Sequence, residues 1–291
     1  MQPTRLNRRH FLRASLLGSS AAVTAATLGG DALAAVTKPE RDPDGGLKLG
    51  MASYTYRNFP LDKAIAMTKQ AGFKYINLKD SHLPMKSTAE ERQAARQQVE
   101  AAGLKLMGGG VIYMKSEAEV QQAFEYARDA GMPCIVCSPD PKVLDSVEKK
   151  AREFNILIAI HNHGPTDKLY PSPMDVFAMV KDRDPLMGIC MDVGHTVRIP
   201  MDPVECIERC GDRMHDLHMK DETAATPAGK ATELGRGVID IVGILKALSA
   251  RKFPYHVGLE YESHGDVPQP YVMECAGYLR GVVAAMGVAQ F

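Results

Sequence analysis

Short apolar runs alternate with helical patterns along this chain from Leu47 onward. Such alternation is typical of consecutive strand–helix units, whose strands form a parallel sheet. Eight units over about 245 residues match the usual size of a (β/α)8 barrel, whereas a doubly wound open sheet normally has fewer strands. The sequence therefore predicts an α/β fold, a single (β/α)8 TIM barrel over residues 47–291. The strands are predicted at Lys48–Ser53, Tyr75–Leu78, Lys105–Gly108, Cys134–Cys137, Ile156–His161, Gly188–Asp192, Met214–His218 and His256–Glu260.

The segments between the predicted strands have the length and the end signals of helices. Three of them end at a glycine just past the last turn, Gly72, Gly103 and Gly131, which is the usual C-terminal cap. No GxGxxG motif opens the first unit, so the signature of a dinucleotide-binding sheet is missing. The helices are predicted at Leu61–Ala71, Ala89–Ala102, Glu117–Ala130, Pro141–Phe154, Pro173–Arg183, Asp202–Gly211, Ile239–Lys252 and Tyr271–Ala285.

The N-terminal segment differs from the rest of the chain. Arg8 and Arg9 precede an uncharged run of small and apolar residues, and an A-x-A pattern at Ala32 to Ala34 follows. This order is typical of a twin-arginine signal peptide, although Asn7 stands where that motif usually has Ser or Thr. The alternative is an amphipathic or membrane-spanning helix. We expect residues 1–34 to be a signal peptide, residues 35–46 to be a linker, and the protein to be periplasmic.

Charge and aromatic content limit the partners of this chain. Lys and Arg balance Asp and Glu at 35 each, and removal of residues 1–34 leaves a formal charge of −3. This charge disfavours nucleic acid or an anionic membrane as the partner of the mature protein. Trp is absent and aromatic residues make up 6% of the chain, so stacking on long glycans is disfavoured too. A small substrate is expected, and the oligomeric state is left open, with a homo-oligomer allowed.

Two of the cysteine spacings look like motifs but have the wrong context. Cys134 and Cys137 lie in a predicted strand, where their side chains point to opposite faces. Cys206 and Cys210 lie one helical turn apart, which is not disulfide geometry. We therefore expect the six cysteines, which include Cys190 and Cys275, to be buried core thiols rather than a disulfide framework or a metal clip.

Polar residues end four consecutive predicted strands, where the active sites of such barrels lie. Strands five to eight end at His161, Asp192, His218 and Glu260. One such residue alone is more often a hydrogen-bonding loop residue than a ligand, but four together predict a shared metal site. Mixed imidazole and carboxylate ligands suit Mn²⁺ or Co²⁺ first, then Zn²⁺, Fe²⁺ or Mg²⁺. An all-oxygen Ca²⁺ site fits this set less well.

The motifs at these strand ends resemble those of the xylose-isomerase-like barrel superfamily of sugar isomerases, epimerases and related enzymes. The resemblance covers nearly the whole chain after the signal segment. It implies that Asp192, His218 and Glu260 are metal ligands, that His195 and Lys220 face the substrate, and that the Gly-x-Gly loop closes over it. The motifs are Asp192-Val193-Gly194-His195, His218-Met219-Lys220-Asp221, Gly235-Arg236-Gly237-Val238-Ile239-Asp240 and Gly258-Leu259-Glu260.

The fifth strand departs from that family. Its epimerases have a Glu there that binds the metal and moves a proton, but this chain has His161. An imidazole can ligate a metal, and His163 on the same strand face is either a rival ligand or an acid/base group. A site with one carboxylate fewer suits elimination or hydration, and ketose dehydratases occur in the same superfamily. The catalytic candidates are Glu260, His163, His195, Lys220 and Lys79.

Other rim residues have alternatives of equal weight. Lys79 after the second strand could orient a substrate oxygen or could be a solvated rim lysine, and His82 has the same standing. Glu262 could support the metal site or be an alternative ligand. Tyr54 and Tyr56 could line a sugar pocket or pack on the rim.

Three functional interpretations follow. The first is a metal-dependent isomerase or epimerase that acts on a small non-phosphorylated sugar or keto-sugar through an enediolate. The second is a lyase or hydratase acting on keto-sugars or 3-keto-glycosides. The third is a non-enzymatic periplasmic sugar-binding or metal-storing barrel. Endonucleases of the same superfamily need a basic groove, which a charge of −3 does not provide.

Overall fold

The computed structural model describes residues 44–288. The predicted signal peptide and most of the predicted linker, up to residue 43, lie outside the described residues. Within residues 44–288, no helix is both long enough and apolar enough to span a bilayer.

Eight parallel strands close into a barrel, which confirms the predicted (β/α)8 TIM barrel. Neighbours in the barrel are neighbours in sequence, and β1 pairs with β8 to close the ring. The two-residue strands Asp221–Glu222 and Ala231–Thr232 form a separate antiparallel hairpin after β7. The barrel strands are β1 (Lys48–Ala52), β2 (Tyr75–Leu78), β3 (Lys105–Met114), β4 (Cys134–Pro139), β5 (Leu157–His161), β6 (Met187–Asp192), β7 (Met214–Met219) and β8 (His256–Leu259).

The helices have clear end signals. Thr88 and Glu91 form a capping box at the start of the second helix, and Gly131 ends the third at φ +66°, a conformation that glycine adopts without strain. Single-turn 3-10 helices occur at Ser53–Tyr56, Pro141–Val143 and Gly211–Arg213. The α-helices are α1 (Leu61–Gln70), α2 (Ala89–Ala101), α3 (Glu117–Ala130), α4 (Leu144–Phe154), α5 (Pro173–Val180), α6 (Val193–Val197), α7 (Pro203–Cys210), α8 (Ile241–Ala250) and α9 (Gln269–Val288).

Two polar rows cross the barrel interior, because residues in register on neighbouring parallel strands point to the same side. The lower row runs from His161 on β5 through Cys190 and Asp216 to His256 on β8. The upper row runs from Asp192 on β6 through His218 to Gly258. All of the side chains in both rows are buried. The upper row lies at the carboxyl ends of the strands, where the predicted metal site lies.

Glycines make room for the imidazole of His256. A methyl group at Gly50 would lie 2.5 Å from Nε2 of His256, and one at Gly258 would lie 2.5 Å from its Cε1. These distances are far below van der Waals contact, so β1 and β8 accept only glycine where that ring lies. The six cysteines are buried free thiols, as expected from the sequence.

Candidate functional site

Four side chains from consecutive strands meet at the carboxyl end of the barrel: His161, Asp192, His218 and Glu260. One nitrogen or oxygen atom from each lies within 4.8 Å of one such atom from every other member. Nε2 of His161 lies 3.0 Å from Nδ1 of His218, which in turn lies 3.1 Å from Oε2 of Glu260. All four residues are buried. The fold therefore brings the four predicted metal ligands together. We call these four residues the ligand set.

Backbone pairing and local hydrogen bonds position the ligand set. Asp192 and His218 are register partners on β6 and β7, and the N–H of Glu260 donates to the carbonyl of Met219 at 3.0 Å. The Asn162 side-chain oxygen accepts from the N–H of Asp192 at 3.0 Å. Oδ1 of Asp192 accepts the N–H of His195 and caps α6, which leaves Oδ2 for the site.

The ammonium of Lys220 lies against the carboxylates of the ligand set rather than against solvent. Its Nζ is 2.9 Å from Oδ2 of Asp192, 2.9 Å from Oε2 of Glu260 and 2.7 Å from Oε1 of Glu262. The side chain of Lys220 is only 3% exposed. Two buried carboxylates thus share one buried cation, with the partly exposed Glu262 as a third partner.

These contacts fix the charges. Burial alone would raise the pKa of Asp192, but Lys220, His195 and His161 together outweigh it and hold that pKa well below its usual value. Burial would also raise the pKa of Glu260, which His218 and Lys220 instead hold well below its usual value. The pKa of Lys220 is raised well above normal, because its three carboxylate partners outweigh its burial. The site therefore contains two carboxylates and an ammonium at neutral pH.

The pKa values of the two imidazoles in the ligand set shift in opposite directions. Burial lowers the pKa of His161 well below its usual value, so His161 is neutral. Burial also opposes a proton on His218, but the neighbouring Glu260 carboxylate raises its pKa overall. A neutral imidazole is the form that ligates metals.

The chemistry of the donors fits a divalent ion. Two imidazoles and two carboxylates form a set suited to Mn²⁺, Co²⁺, Fe²⁺ or Zn²⁺. Nε2 of His161 faces the other members of the set, 3.0 Å from Nδ1 of His218 and 3.4 Å from Oδ2 of Asp192.

His163 lies outside the ligand set, so His161 is the strand-five member of that set. The His163 ring centroid is 4.4 Å from that of His161 and 5.9 Å from that of His195. Its Nδ1 lies 3.1 Å from Oδ2 of Asp167, while Oδ1 of Asp167 accepts the N–H groups of Leu169 and Tyr170. The side chain of His163 is 22% exposed. Sequence reasoning missed Asp167, because it lies in an irregular loop without a motif.

The remaining rim candidates divide into two groups. Lys79 is half-buried with its Nζ 5.0 Å from the Tyr54 ring centroid, and Tyr54 lines the rim beside it. His82 uses Nδ1 for Ser53 at 2.9 Å and Nε2 for the Tyr56 carbonyl at 3.2 Å. Tyr56 is fully buried. His82 and Tyr56 therefore hold the fold, whereas Lys79 and Tyr54 remain available to a substrate.

The Gly-x-Gly loop is held by the carboxylate of Asp221. This carboxylate accepts the N–H groups of Gly235, Gly237 and Ile239 at 2.9 to 3.1 Å. Its neighbour Glu222 is buried, and burial raises the pKa of Glu222 to about 7. Neither the loop contacts of Asp221 nor the burial of Glu222 follows from the sequence, because both depend on the hairpin.

Similar proteins support the same architecture. A Methylomonas D-allulose 3-epimerase is 13% identical with a TM-score of 0.66, and the match covers 81% of this chain and 98% of that one. The probable 3-DHS dehydratase of petrobactin synthesis from Bacillus anthracis is 13% identical with a TM-score of 0.63, over 80% and 98% of the two chains. An uncharacterized Parabacteroides distasonis protein is 23% identical with a TM-score of 0.64, over 81% and 99%. At these identities the likeness shows the fold alone.

Sequence families give a firmer assignment. No curated protein sequence gives a significant match to this chain. The model of the xylose isomerase-like TIM barrel family matches residues 65–280. Since this match spans well over half of the sequence, the chain belongs to the xylose isomerase-like TIM barrel family.

Proposed function

We propose that this protein is a metal-dependent isomerase or epimerase that acts on a small non-phosphorylated keto-sugar through an enediolate. The observation that supports it is the convergence of His161, Asp192, His218 and Glu260 within 4.8 Å at the carboxyl end of the barrel. We further propose Mn²⁺ or Co²⁺ as the ion. We also propose a periplasmic location, which the predicted twin-arginine signal supports and which favours a non-phosphorylated substrate.

The ligand set would hold the ion, and a bound Mn²⁺ or Co²⁺ would supply a Lewis acid that polarises the substrate carbonyl. Glu260 is the proposed base, because Lys220 and His218 keep its carboxylate ionised beside the site. Its Oε2 would take the proton from the carbon next to the carbonyl. Lys220, 2.9 Å from that oxygen, would keep Glu260 in position during the transfer.

His163 is the proposed acid/base group on the other side of the site. Strands β5 and β8 are separated by β6 and β7 around the ring, so His163 and Glu260 approach a bound sugar from different directions. The contact of Nδ1 with Asp167 at 3.1 Å leaves Nε2 of His163 for the substrate. An epimerase needs two such groups, one to remove a proton and one to return it on the opposite face.

Elimination is the second candidate, and the identity of residue 161 favours it. His161 takes the place at which epimerases of this family have a carboxylate, and its pKa is lowered, so it does not supply a second carboxylate base. His163 would then protonate a leaving hydroxyl or glycosidic oxygen after Glu260 has removed the α-proton. This pathway describes a keto-sugar or 3-keto-glycoside lyase or hydratase.

One experiment separates these candidates. The Mn²⁺-loaded protein is incubated in D₂O with free keto-sugars and with 3-keto-glycosides, and the products are analysed by NMR and mass spectrometry. Deuterium at the α-carbon of an isomer or epimer supports the first candidate, and a dehydrated or cleaved product supports the second. The Glu260→Gln variant is expected to abolish either result, whereas Glu262→Gln is expected to retain it. Binding without exchange or turnover would contradict both and would favour a sugar-binding barrel.

A further inference from the structure

Cys190 lies directly beneath the ligand set. It is fully buried in the lower polar row, in register with His161 on β5 and with Asp216 on β7. Its Sγ lies within 4.8 Å of one nitrogen of His161 and one nitrogen of His218. Two of the four proposed metal ligands therefore face a thiol as well as the carboxylates.

The spacing of these three atoms suits one metal ion. Zn–S bonds of about 2.3 Å and Zn–N bonds of about 2.0 Å place ligand atoms roughly 3.3 to 3.8 Å apart on a tetrahedral ion. The three ligand atoms of His161, Cys190 and His218 lie within 4.8 Å of one another, so only small side-chain shifts are needed to reach these spacings. The contact of His161 with His218 uses Nε2, and the buried Nδ1 of His161 has no hydrogen-bond partner within residues 44–288.

The charges on the two sides of the imidazoles differ. On the upper side, an ion must compete with Lys220, whose Nζ is 2.9 Å from both Asp192 and Glu260. On the lower side, Oδ1 of Asp216 lies 3.7 Å from Sγ of Cys190 and 4.0 Å from Nε2 of His218. An ion that enters the lower side leaves the ion pairs of Lys220 intact and gains a nearby anion.

We propose that His161, Cys190 and His218 form a second, softer binding site for a thiophilic divalent ion such as Cd²⁺ or Zn²⁺. Thiolate ligands select such ions over Mn²⁺. Binding breaks the S–H bond of Cys190, forms a metal–sulfur bond and releases the proton to solvent. Because both sites draw on the same two imidazoles, a cation in one is expected to weaken the binding of a cation in the other. The resulting inhibition of turnover rests on the proposed function, whereas the coordination itself does not.

The probe is Cd²⁺ added to the full-length, metal-free protein. One equivalent is expected to produce a sulfur-to-metal charge-transfer band in the ultraviolet. Cys190→Ser is expected to lose the band and to bind Cd²⁺ at least about tenfold more weakly. The matched control is Cys137→Ser, another fully buried strand cysteine, which is expected to keep the band. Excess Mn²⁺ is expected to weaken the apparent Cd²⁺ affinity of the wild type.

Two results would overturn the inference: no band in the wild type, or an equal band in Cys190→Ser. Electron paramagnetic resonance of bound Mn²⁺ checks that Cys190→Ser folds with an intact ligand set. If Cys190→Ser does not fold, Cys190→Ala is used in its place. If Mn²⁺ binds and proton exchange occurs without a Cd²⁺ band, only this inference fails. If the Cys190-dependent band forms while Mn²⁺ neither binds nor supports turnover, only the proposed function fails.

Discussion

Nζ of Lys220 lies 2.9 Å from Oε2 of Glu260, deep in the mouth of the barrel. The same nitrogen lies 2.9 Å from Asp192, so a protein cation stands between the two carboxylates proposed to bind a metal cation. Two cations in one buried site repel each other strongly. Metal binding must therefore move this ammonium or weaken its ion pairs.

Replacement of Lys220 by Met tests that competition. We expect Lys220→Met to bind Mn²⁺ at least about tenfold more tightly, because a competing charge is gone. Without metal it should be less stable by about 3–5 kcal/mol, since two buried carboxylates lose their partner. Calorimetric Mn²⁺ titration and urea unfolding in chelator measure the two effects. The control is Lys79→Met, which removes a half-buried rim lysine. Unchanged affinity and stability in Lys220→Met would contradict the competition.

Removal of one ligand should empty the metal site. We expect Asp192→Ala and His218→Ala to retain less than about a tenth of the wild-type metal content after dialysis, because each removes a member of the ligand set. Elemental analysis of the purified proteins gives the answer. Glu262→Gln is the control, because its carboxylate contacts Lys220 at 2.7 Å without belonging to the set. Full metal occupancy in either alanine variant would show that the ion binds elsewhere.

The contact between Asp167 and His163 predicts a positioning effect. We expect Asp167→Asn to lower kcat by about tenfold to a hundredfold with little change in KM, because the amide still accepts the loop N–H groups through Oδ1 but no longer offers a carboxylate to His163. Steady-state kinetics measure both constants. The exposed Asp80 offers a control on the same rim, and Asp80→Asn should behave like the wild type. A rise in KM alone would indicate a binding role.

Histidine burial predicts how the stability of the metal-free protein depends on pH. Burial lowers the pKa of His82, His161 and His215 in the folded protein, so below about pH 6.5 the unfolded chain binds more protons than the folded one. The contribution of these three histidines to the free energy of unfolding is complete above that pH and is lost as the pH falls. His218, whose pKa is raised, acts in the opposite direction. We expect the free energy of unfolding to fall by more than about 1 kcal/mol between pH 7 and pH 5.

Urea unfolding at several pH values measures that slope. His82→Gln should make the slope shallower, because one titrating group is gone. A free energy of unfolding that is flat or rises toward pH 5 would refute the assignment.

The glycine at residue 50 should be essential for packing. A methyl group there would lie 2.5 Å from Nε2 of His256 and 2.6 Å from the carbonyl of Tyr75. We expect Gly50→Ala to cost about 1–3 kcal/mol or more through overpacking. Gly277→Ala is the matched control, since its methyl group meets nothing within 4 Å on α9, and it should stabilise the helix by about 0.5–1 kcal/mol. Thermal unfolding compares the two variants, and equal Tm values would contradict the packing argument.

The sequence predicted strand and helix positions well because apolar periodicity and caps are local. It ended β3 too early at Gly108, because three successive glycines normally interrupt a strand. In the barrel β3 continues to Met114 across a register shift between Gly109 and Ile112. Pairing with β4 outweighs the weak strand propensity of glycine, and pairing is a tertiary effect. The hairpin after β7 was missed because each of its strands has two residues.

The positions of site residues at strand ends could be predicted from the sequence. The positions that depend on side-chain direction or on loop conformation could not. Asp192 and His218 could be placed together because barrel strand ends must meet. The direction of Lys220 could not be read, because its long chain could equally reach solvent. Asp167 depends on the fold of the loop between β5 and α5. The twin-arginine signal and the periplasmic location stay predictions.

Asp221 gives the Gly-x-Gly loop a shape that its side chains do not determine. Its carboxylate accepts hydrogen bonds from the main-chain N–H groups of three loop positions. Every residue type except proline has such an N–H group. Between them, the guanidinium of Arg236 pairs with the surface residue Glu274, and Val238 is about half exposed. Residues 236 and 238 are therefore natural positions for sequence libraries, where the surface of this barrel can be redesigned without redesigning its architecture.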